Sequence, residues 1–221
     1  HKAIIGKPHN NDKLIEIKDL SVIYKTDDAI FKAVNHISIS LGYRETLGLV
    51  GETGAGKTTT ALTILGLLPE RTGRVTGGEI IFKGENLLGK NKDEMREIRG
   101  KAISMIFQDP MTSLNPLMTV GDQVLEVLEI HNEGDTKDEL NKRVDDLFQL
   151  VGIQSQRKGN YPNQFSGGMK QRVVIAMAIA CNPELLIADE PTTALDVTIQ
   201  AQVLNLMADL KEKMNTSIIL I

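Results

Sequence analysis

The chain has no tryptophan, a single cysteine and few aromatic residues, 4% of its 221 residues. One thiol excludes an intrachain disulfide and any zinc or iron–sulfur framework built on several cysteines, and it fits a reducing cytoplasm. Long hydrophobic runs are missing too. The longest, residues 173–181, holds nine residues, whereas a bilayer span needs about twenty, so no direct membrane insertion is expected. Cys181 ends that run and reads as a small buried hydrophobe. There is no excess of positive charge either. The net charge is −4 and the isoelectric point about 5.6, which removes the electrostatic case for nucleic acid as the main partner. No signal-peptide pattern, internal repeat or low-complexity tract is visible.

What is present is 41% apolar residues, enough to bury a sizeable core, and one stretch of specific chemistry. Gly51-Glu52-Thr53-Gly54-Ala55-Gly56-Lys57-Thr58 fits G-x-x-x-x-G-K-[ST], the phosphate-binding loop. It follows the apolar run Thr46-Leu47-Gly48-Leu49-Val50 and precedes Thr59-Thr60-Ala61-Leu62-Thr63-Ile64-Leu65, the strand–loop–helix context that the motif requires. Glycines let the backbone curl so that successive N–H groups point at phosphate oxygens. The new helix adds its positive N-terminal end. Lys57 supplies a mobile charge for the β- and γ-phosphates, and the Thr58 hydroxyl is placed to ligate Mg²⁺. The bland alternative is an ordinary glycine-rich turn.

The first twelve residues are polar and expected to be loose, and a start at His1 is expected to differ from the natural start. Residues 14–17 and 21–24 read as successive extended segments, followed by strands at 33–39 and 45–50. Gly77-Gly78 marks a turn before a short strand at 79–82. Residues 91–98 are helical and 102–107 form a buried strand. From 119 to 152 the apolar residues recur at helical spacing, which predicts a mainly helical insert, about 109–168, within a domain of residues 13–221. Helices follow from 167 to 180 and 197 to 214, with buried strands at 185–188 and 217–221.

A second set of chemical residues lies downstream. Leu185-Leu186-Ile187-Ala188-Asp189-Glu190 is an apolar strand ending in two carboxylates. Beside a phosphate loop such a strand supplies the acid that holds Mg²⁺, here Asp189, and Glu190 can then polarise a water for attack on the γ-phosphate. Alone, two acids after a strand read as a solvated strand end. Phe165-Ser166-Gly167-Gly168-Met169-Lys170-Gln171-Arg172 opens a helix, either as a second anion-binding helix start or as an ordinary serine cap with a glycine turn.

Together these stretches resemble the nucleotide-binding subunits of ABC transporters. The matching motifs are Gly51 to Thr58 (Walker A), Phe107-Gln108-Asp109-Pro110 (Q-loop), Ser166-Gly167-Gly168-Met169-Lys170-Gln171 (signature), Ile187-Ala188-Asp189-Glu190-Pro191 (Walker B) and Ala194-Leu195-Asp196 (D-loop). Asp109-Pro110-Met111-Thr112-Ser113-Leu114-Asn115-Pro116, and the run from Thr192 to Gln202, resemble dipeptide and oligopeptide permease ATPases, a subfamily that includes nickel importers.

The resemblance implies an α/β P-loop fold: a RecA-like core sheet, an antiparallel β subdomain and an inserted helical subdomain. It implies ATP and Mg²⁺ as cofactors and ATP hydrolysis powering an importer, with Glu190, Lys57 and Gln108 catalytic and Thr58, Gln108 and Asp189 on the metal. Tyr24 matches the aromatic that stacks on adenine, its bland reading being a strand-end tyrosine. Thr59 joins the nucleotide-binding set with Gly51, Glu52, Thr53, Gly54, Ala55 and Gly56. Family members pair head to tail, so Ser166, Gly167, Gly168 and Asp196 would meet the ATP of a second ATP-binding subunit. Transmembrane permease subunits would hold the pair at the cytoplasmic face of the membrane.

Two departures stand out. Phe165 replaces the usual leucine and keeps apolar character. The family's switch histidine follows a strand equivalent to residues 217–221, yet His1, His9, His36 and His131 all precede Asp189, so a C-terminally truncated domain of low activity is expected. Three other readings compete. A soluble ABC ATPase acting on DNA or ribosomes would carry a long coiled coil or a second cassette. A GTPase would complete the motif begun at Asn141-Lys142-Arg143, where Val144 stands in place of the acid. A nucleotide-binding fragment without catalytic competence is the third.

Overall fold

The computed structural model describes residues 13–51, 56–107, 109–132, 134–192 and 195–221. The N-terminal segment expected to be loose, Glu52 to Ala55 of the phosphate loop, Gln108, and Thr193 and Ala194 lie outside the described residues. The chain divides into two compact units, residues 1–99 with 217–221, and residues 100–216.

The first unit begins with β1 (Lys13–Lys25) and β2 (Ile30–Gly42), then β3 (Thr46–Gly48), α1 (Lys57–Ile64), β4 (Gly73–Phe82), β5 (Glu85–Asn86) and α2 (Lys92–Ile98). Four of the strands form an antiparallel sheet in the order β2-β1-β4-β5. The sequence separates residues 14–17 from 21–24, but they belong to one strand. Its register shifts between Ile17 and Leu20, where Asp19 takes a left-handed φ of 50°. This bulge resets the alternation of a pleated strand. Ile15 and Ile17 are buried before it, Leu20 and Val22 after it, and Tyr24 follows two residues on.

Gly77-Gly78 is likewise no turn. It is the matching irregularity inside β4, where Gly78 has φ 98° and a Cβ would press on the Asp19 carbonyl and the Leu20 Cα. Only glycine tolerates that approach. β3 runs parallel to β8 (Ser217–Leu220), pairing Thr46 with Ile218 and Gly48 with Leu220. A capping box of Asn91 and Glu94 opens α2.

The second unit holds β6 (Ile103–Ile106), α3 (Pro110–Ser113), α4 (Val120–His131), α5 (Lys137–Leu150), α6 (Gly167–Ile179), β7 (Leu185–Ala188) and α7 (Val197–Met214). β6 and β7 are parallel, pairing Ile103 with Leu185 and Ile106 with Ala188. All four residues of β7 are buried, as a strand covered on both faces requires. α4 and α5 are amphipathic and capped by Thr119 and Thr136. α6 is buried on several faces, through Val173, Val174, Ile175, Ala176 and Ile179, because its sequence has no polar stripe to offer solvent. Cys181 lies beyond the end of α6 and is half-buried rather than enclosed. Burial pushes its thiol pKa up, against the lowering effects of Arg143, Lys101 and Asn132.

Candidate functional site

In the first unit the residues of interest gather at the N-terminal end of α1. Gly56 is its cap, with φ 85°, and a Cβ there would collide with the Ala33 carbonyl of β2. The glycine is therefore required twice, for its left-handed backbone and for the close approach of β2. No side chain caps this helix start. Lys57 bends back so that its Nζ donates to the Gly51 carbonyl at 2.5 Å. Thr58 is exposed beside it, while Thr59 and Thr60 are buried. Tyr24, near the end of β1, is half-buried, and its hydroxyl lies 3.1 Å from Thr59 Oγ1. The first unit thus brings together Tyr24, Gly51, Gly56, Lys57, Thr58 and Thr59. The Tyr24–Thr59 contact joins residues thirty-five apart and so leaves no local signal in the sequence. At the other end of α1, a cavity of about 400 Å³ opens toward α2, lined among others by Leu67, Val75, Leu88 and Met95.

In the second unit β7 delivers the acids. The Asp189 N–H donates to the Ile106 carbonyl at 2.9 Å, which extends the β6–β7 ladder by one rung. Asp189 is 3% exposed. That ladder sets it level with Phe107, next before Gln108 in the chain. Glu190 then takes φ 46°, an uncommon conformation for a residue with a Cβ and one that costs of order 1 kcal/mol. The strand ends there abruptly, leaving the Glu190 side chain partly exposed.

The stretch following Phe107 is tied down locally. The Asp109 carbonyl accepts from the Thr112 and Ser113 hydroxyls at 3.2 and 2.9 Å. The buried Gln123 side chain accepts from the Asn115 N–H at 2.9 Å and donates to the Asn115 and Met118 carbonyls at 2.8 and 3.0 Å.

At the start of α6, Ser166 Oγ accepts from the Met169 N–H at 3.3 Å, so the serine serves its own helix as a cap. Gly167 and Gly168 face Leu195 and Ile199. A Cβ on Gly168 would stand 2.6 Å from Ile199 Cγ2, and one on Gly167 3.5 Å from Leu195 Cδ2. Asp196 caps α7, accepting from the Ile199 N–H at 3.0 Å. The structure therefore brings Ser166, Gly167, Gly168 and Asp196 into one neighbourhood. Phe165 is buried, and the Arg157 guanidinium sits 4.3 Å from its ring centre, also donating to the Gln164 carbonyl and contacting the Met169 sulfur. An aromatic here gains a cation–π contact that leucine could not make. Gln171, one turn into α6, is fully buried, and neither polar atom of its side chain meets a partner among the described residues.

Comparison with known proteins bears on both neighbourhoods. Residues 34–193 match the family model described as ABC transporter. A probable peptide ABC transporter ATP-binding protein of Sinorhizobium fredii is 50% identical over 212 residues, covering 95% of this chain and 63% of that protein. The oligopeptide transport ATP-binding protein OppD of Bacillus subtilis is 53% identical over 211 residues, covering 95% of this chain and 59% of its own length. The chain thus spans about three-fifths of these relatives. Among solved structures, the ATP-binding cassette MJ0796, a dimer in a post-hydrolysis state bound to ADP and Pi, superimposes with TM-score 0.81 at 28% identity, over 93% of this chain and 86% of that one. The fold is that of the ABC ATPase cassettes, and this chain belongs to the ABC transporter family.

Proposed function

We propose that the chain is the ATP-binding and ATP-hydrolysing domain of a subunit that powers an ABC importer of di- or oligopeptides. The observation that carries this reading is the start of α1, a helix terminus with a left-handed glycine cap, no side-chain cap among the described residues, and a lysine whose ammonium turns back to the Gly51 carbonyl. A helix start beside an ammonium offers the positive end and the charge that a polyphosphate needs. The peptide class is supported by the names of the relatives, which are peptide and oligopeptide transport ATP-binding proteins.

The residues divide the work by chemistry. The loop backbone and Lys57 hold the β- and γ-phosphates. Tyr24 carries the base on its ring face. Thr58 and Asp189 offer a hydroxyl and one buried carboxylate, hard oxygen donors of the kind Mg²⁺ takes when phosphates and water supply the rest. They fit that ion, which would neutralise phosphate charge when bound. Glu190 accepts the proton of the attacking water as its oxygen bonds to the γ-phosphorus and the bond to the ADP oxygen breaks. Gln108 would sense that phosphate from the start of the helical stretch, about 109–168.

Ser166, Gly167, Gly168 and Asp196 form a second surface that serves the ATP of a paired subunit. Dimeric cassette structures support such a pair. The permease subunits would lie in the membrane, with this domain on its cytoplasmic face. None of the helices among the described residues is long and apolar enough to cross it.

The test is Mg·ATP-dependent phosphate release by the chain together with its permease subunits, measured with and without peptide supplied through the importer. Peptide-stimulated release supports the reading. ATP turnover that ignores peptide while responding to another solute would reassign the cargo. No ATP binding at all would remove the nucleotide assignment.

A further inference from the structure

The hydroxyls of α1 are not all used alike. Thr60 Oγ1 donates to the Gly56 carbonyl at 2.8 Å, and Thr63 Oγ1 to the Thr59 carbonyl at 2.7 Å. These are the local back-bonds that threonines make inside helices. Thr59 Oγ1 reaches further, contacting the Tyr24 hydroxyl at 3.1 Å, across to another element of the same unit. Thr59 is 9% exposed and lies in the first turn, two residues after Lys57.

Tyr24 has little else on its strand to hold it. Its register partners are Gly73 on β4, which has no side chain, and Phe31 on β2, which is 57% exposed. A tyrosine side chain can change rotamer about its first torsion, which swings the whole ring, and neither Gly73 nor the exposed Phe31 is a buried bulky neighbour that would oppose that swing. The hydroxyl contact opposes it, because it holds the tip of the ring and so fixes where the ring sits.

We propose that Thr59 is a positioning residue for base recognition. Its hydroxyl latches the Tyr24 ring to the first turn of the phosphate-loop helix, so that the base platform and the triphosphate cradle form one rigid element. The inference rests on the reading of Tyr24 and α1 as the nucleotide site. It implies that the ligand is a nucleotide held at both ends, and that the benefit of Tyr24 depends on Thr59. A purely structural role, pinning β1 to α1, predicts something different: every ligand of α1 would be affected to the same degree.

Two ligands separate these roles, Mg·ATP and Mg·tripolyphosphate, the second having the phosphates without the base. Their affinities are measured for the unaltered protein and for Tyr24→Phe, Thr59→Val, Thr59→Ser and the Tyr24→Phe/Thr59→Val pair. The net worth of one hydrogen bond predicts that Tyr24→Phe weakens ATP about fivefold and leaves tripolyphosphate unchanged. Thr59→Val should weaken ATP by a larger factor than tripolyphosphate, and Thr59→Ser should restore ATP. The double variant should bind ATP no worse than Thr59→Val, since the latch is already broken.

The proposal is overturned if Tyr24→Phe binds ATP as the unaltered protein does, if the two ligands lose affinity equally, or if the two losses multiply in the double variant. Should the unaltered protein bind neither ligand, the nucleotide reading falls and takes the latch with it. Binding of both ligands with no selective loss defeats the latch alone. Tyr24→Phe removes one oxygen from a half-buried ring, so this arm remains decisive even if Thr59→Val fails to fold.

Discussion

The two glycine-bearing helix starts, at α1 and α6, are built to opposite ends. At α1 the cap is Gly56, left-handed and without a side-chain bond, and Lys57 reaches back to the Gly51 carbonyl. At α6 the cap is Ser166, whose hydroxyl satisfies the Met169 N–H, while Gly168 is packed against Ile199. The first start has no side-chain cap among the described residues. The second satisfies its own donor and spends its glycine on a close contact with the N-terminal end of α7. Glycine content alone therefore does not tell the two starts apart. What differs is whether the cap residue's own side chain bonds an N–H of its helix.

The contrast can be broken or sharpened by substitution. The largest effect belongs to the reaction itself. Glu190→Gln keeps the side-chain shape but removes its basicity, and should lower steady-state phosphate release by about 10²–10⁴-fold while ATP still binds; full turnover would remove the base assignment. Lys57→Ala acts at the open helix start. Mg·ATP at a hundred times its Kd should stabilise the unaltered protein by about 2.7 kcal/mol, and most of that thermal shift should vanish in the variant. An undiminished shift would show that α1 is not the phosphate site.

At the closed start the expected losses concern folding. Gly168→Ala adds a methyl 2.6 Å from Ile199 Cγ2 and should cost about 1–3 kcal/mol in denaturant unfolding, partly recovered by adding Ile199→Ala. The smallest effect is Ser166→Ala, which removes one cap bond and should cost about 1 kcal/mol. If Ser166→Ala and Gly168→Ala leave stability unchanged, the difference drawn between the two helix starts is wrong.

Much of this architecture was legible in the chain because it depends on local chemistry. The helix that begins at Lys57 and the apolar strand before Asp189 are each written in a few adjacent residues. The misreadings came where a distant partner overrode a local signal. Gly77-Gly78 looks like a turn, but β1 passes so close that glycine is needed to continue the strand. Residues 14–17 and 21–24 look like two strands, because a bulge at Asp19 breaks the alternation without breaking the pairing. Cys181 looks like core because it ends an apolar run, yet it falls past the helix end.

Sequence alone determined the phosphate-loop residues, the two carboxylates after β7, and the family those motifs resemble, since each is a pattern of residue types at short range. Tertiary structure decided what those residues touch. It turned Ser166 toward its own helix, gave Phe165 a guanidinium to stack on, bent Glu190 into a left-handed backbone and set the Tyr24 hydroxyl against Thr59. The physical reason is reach. Propensity and spacing act over a few residues, whereas contacts such as that of Tyr24 with Thr59 depend on how strands and helices pack after folding.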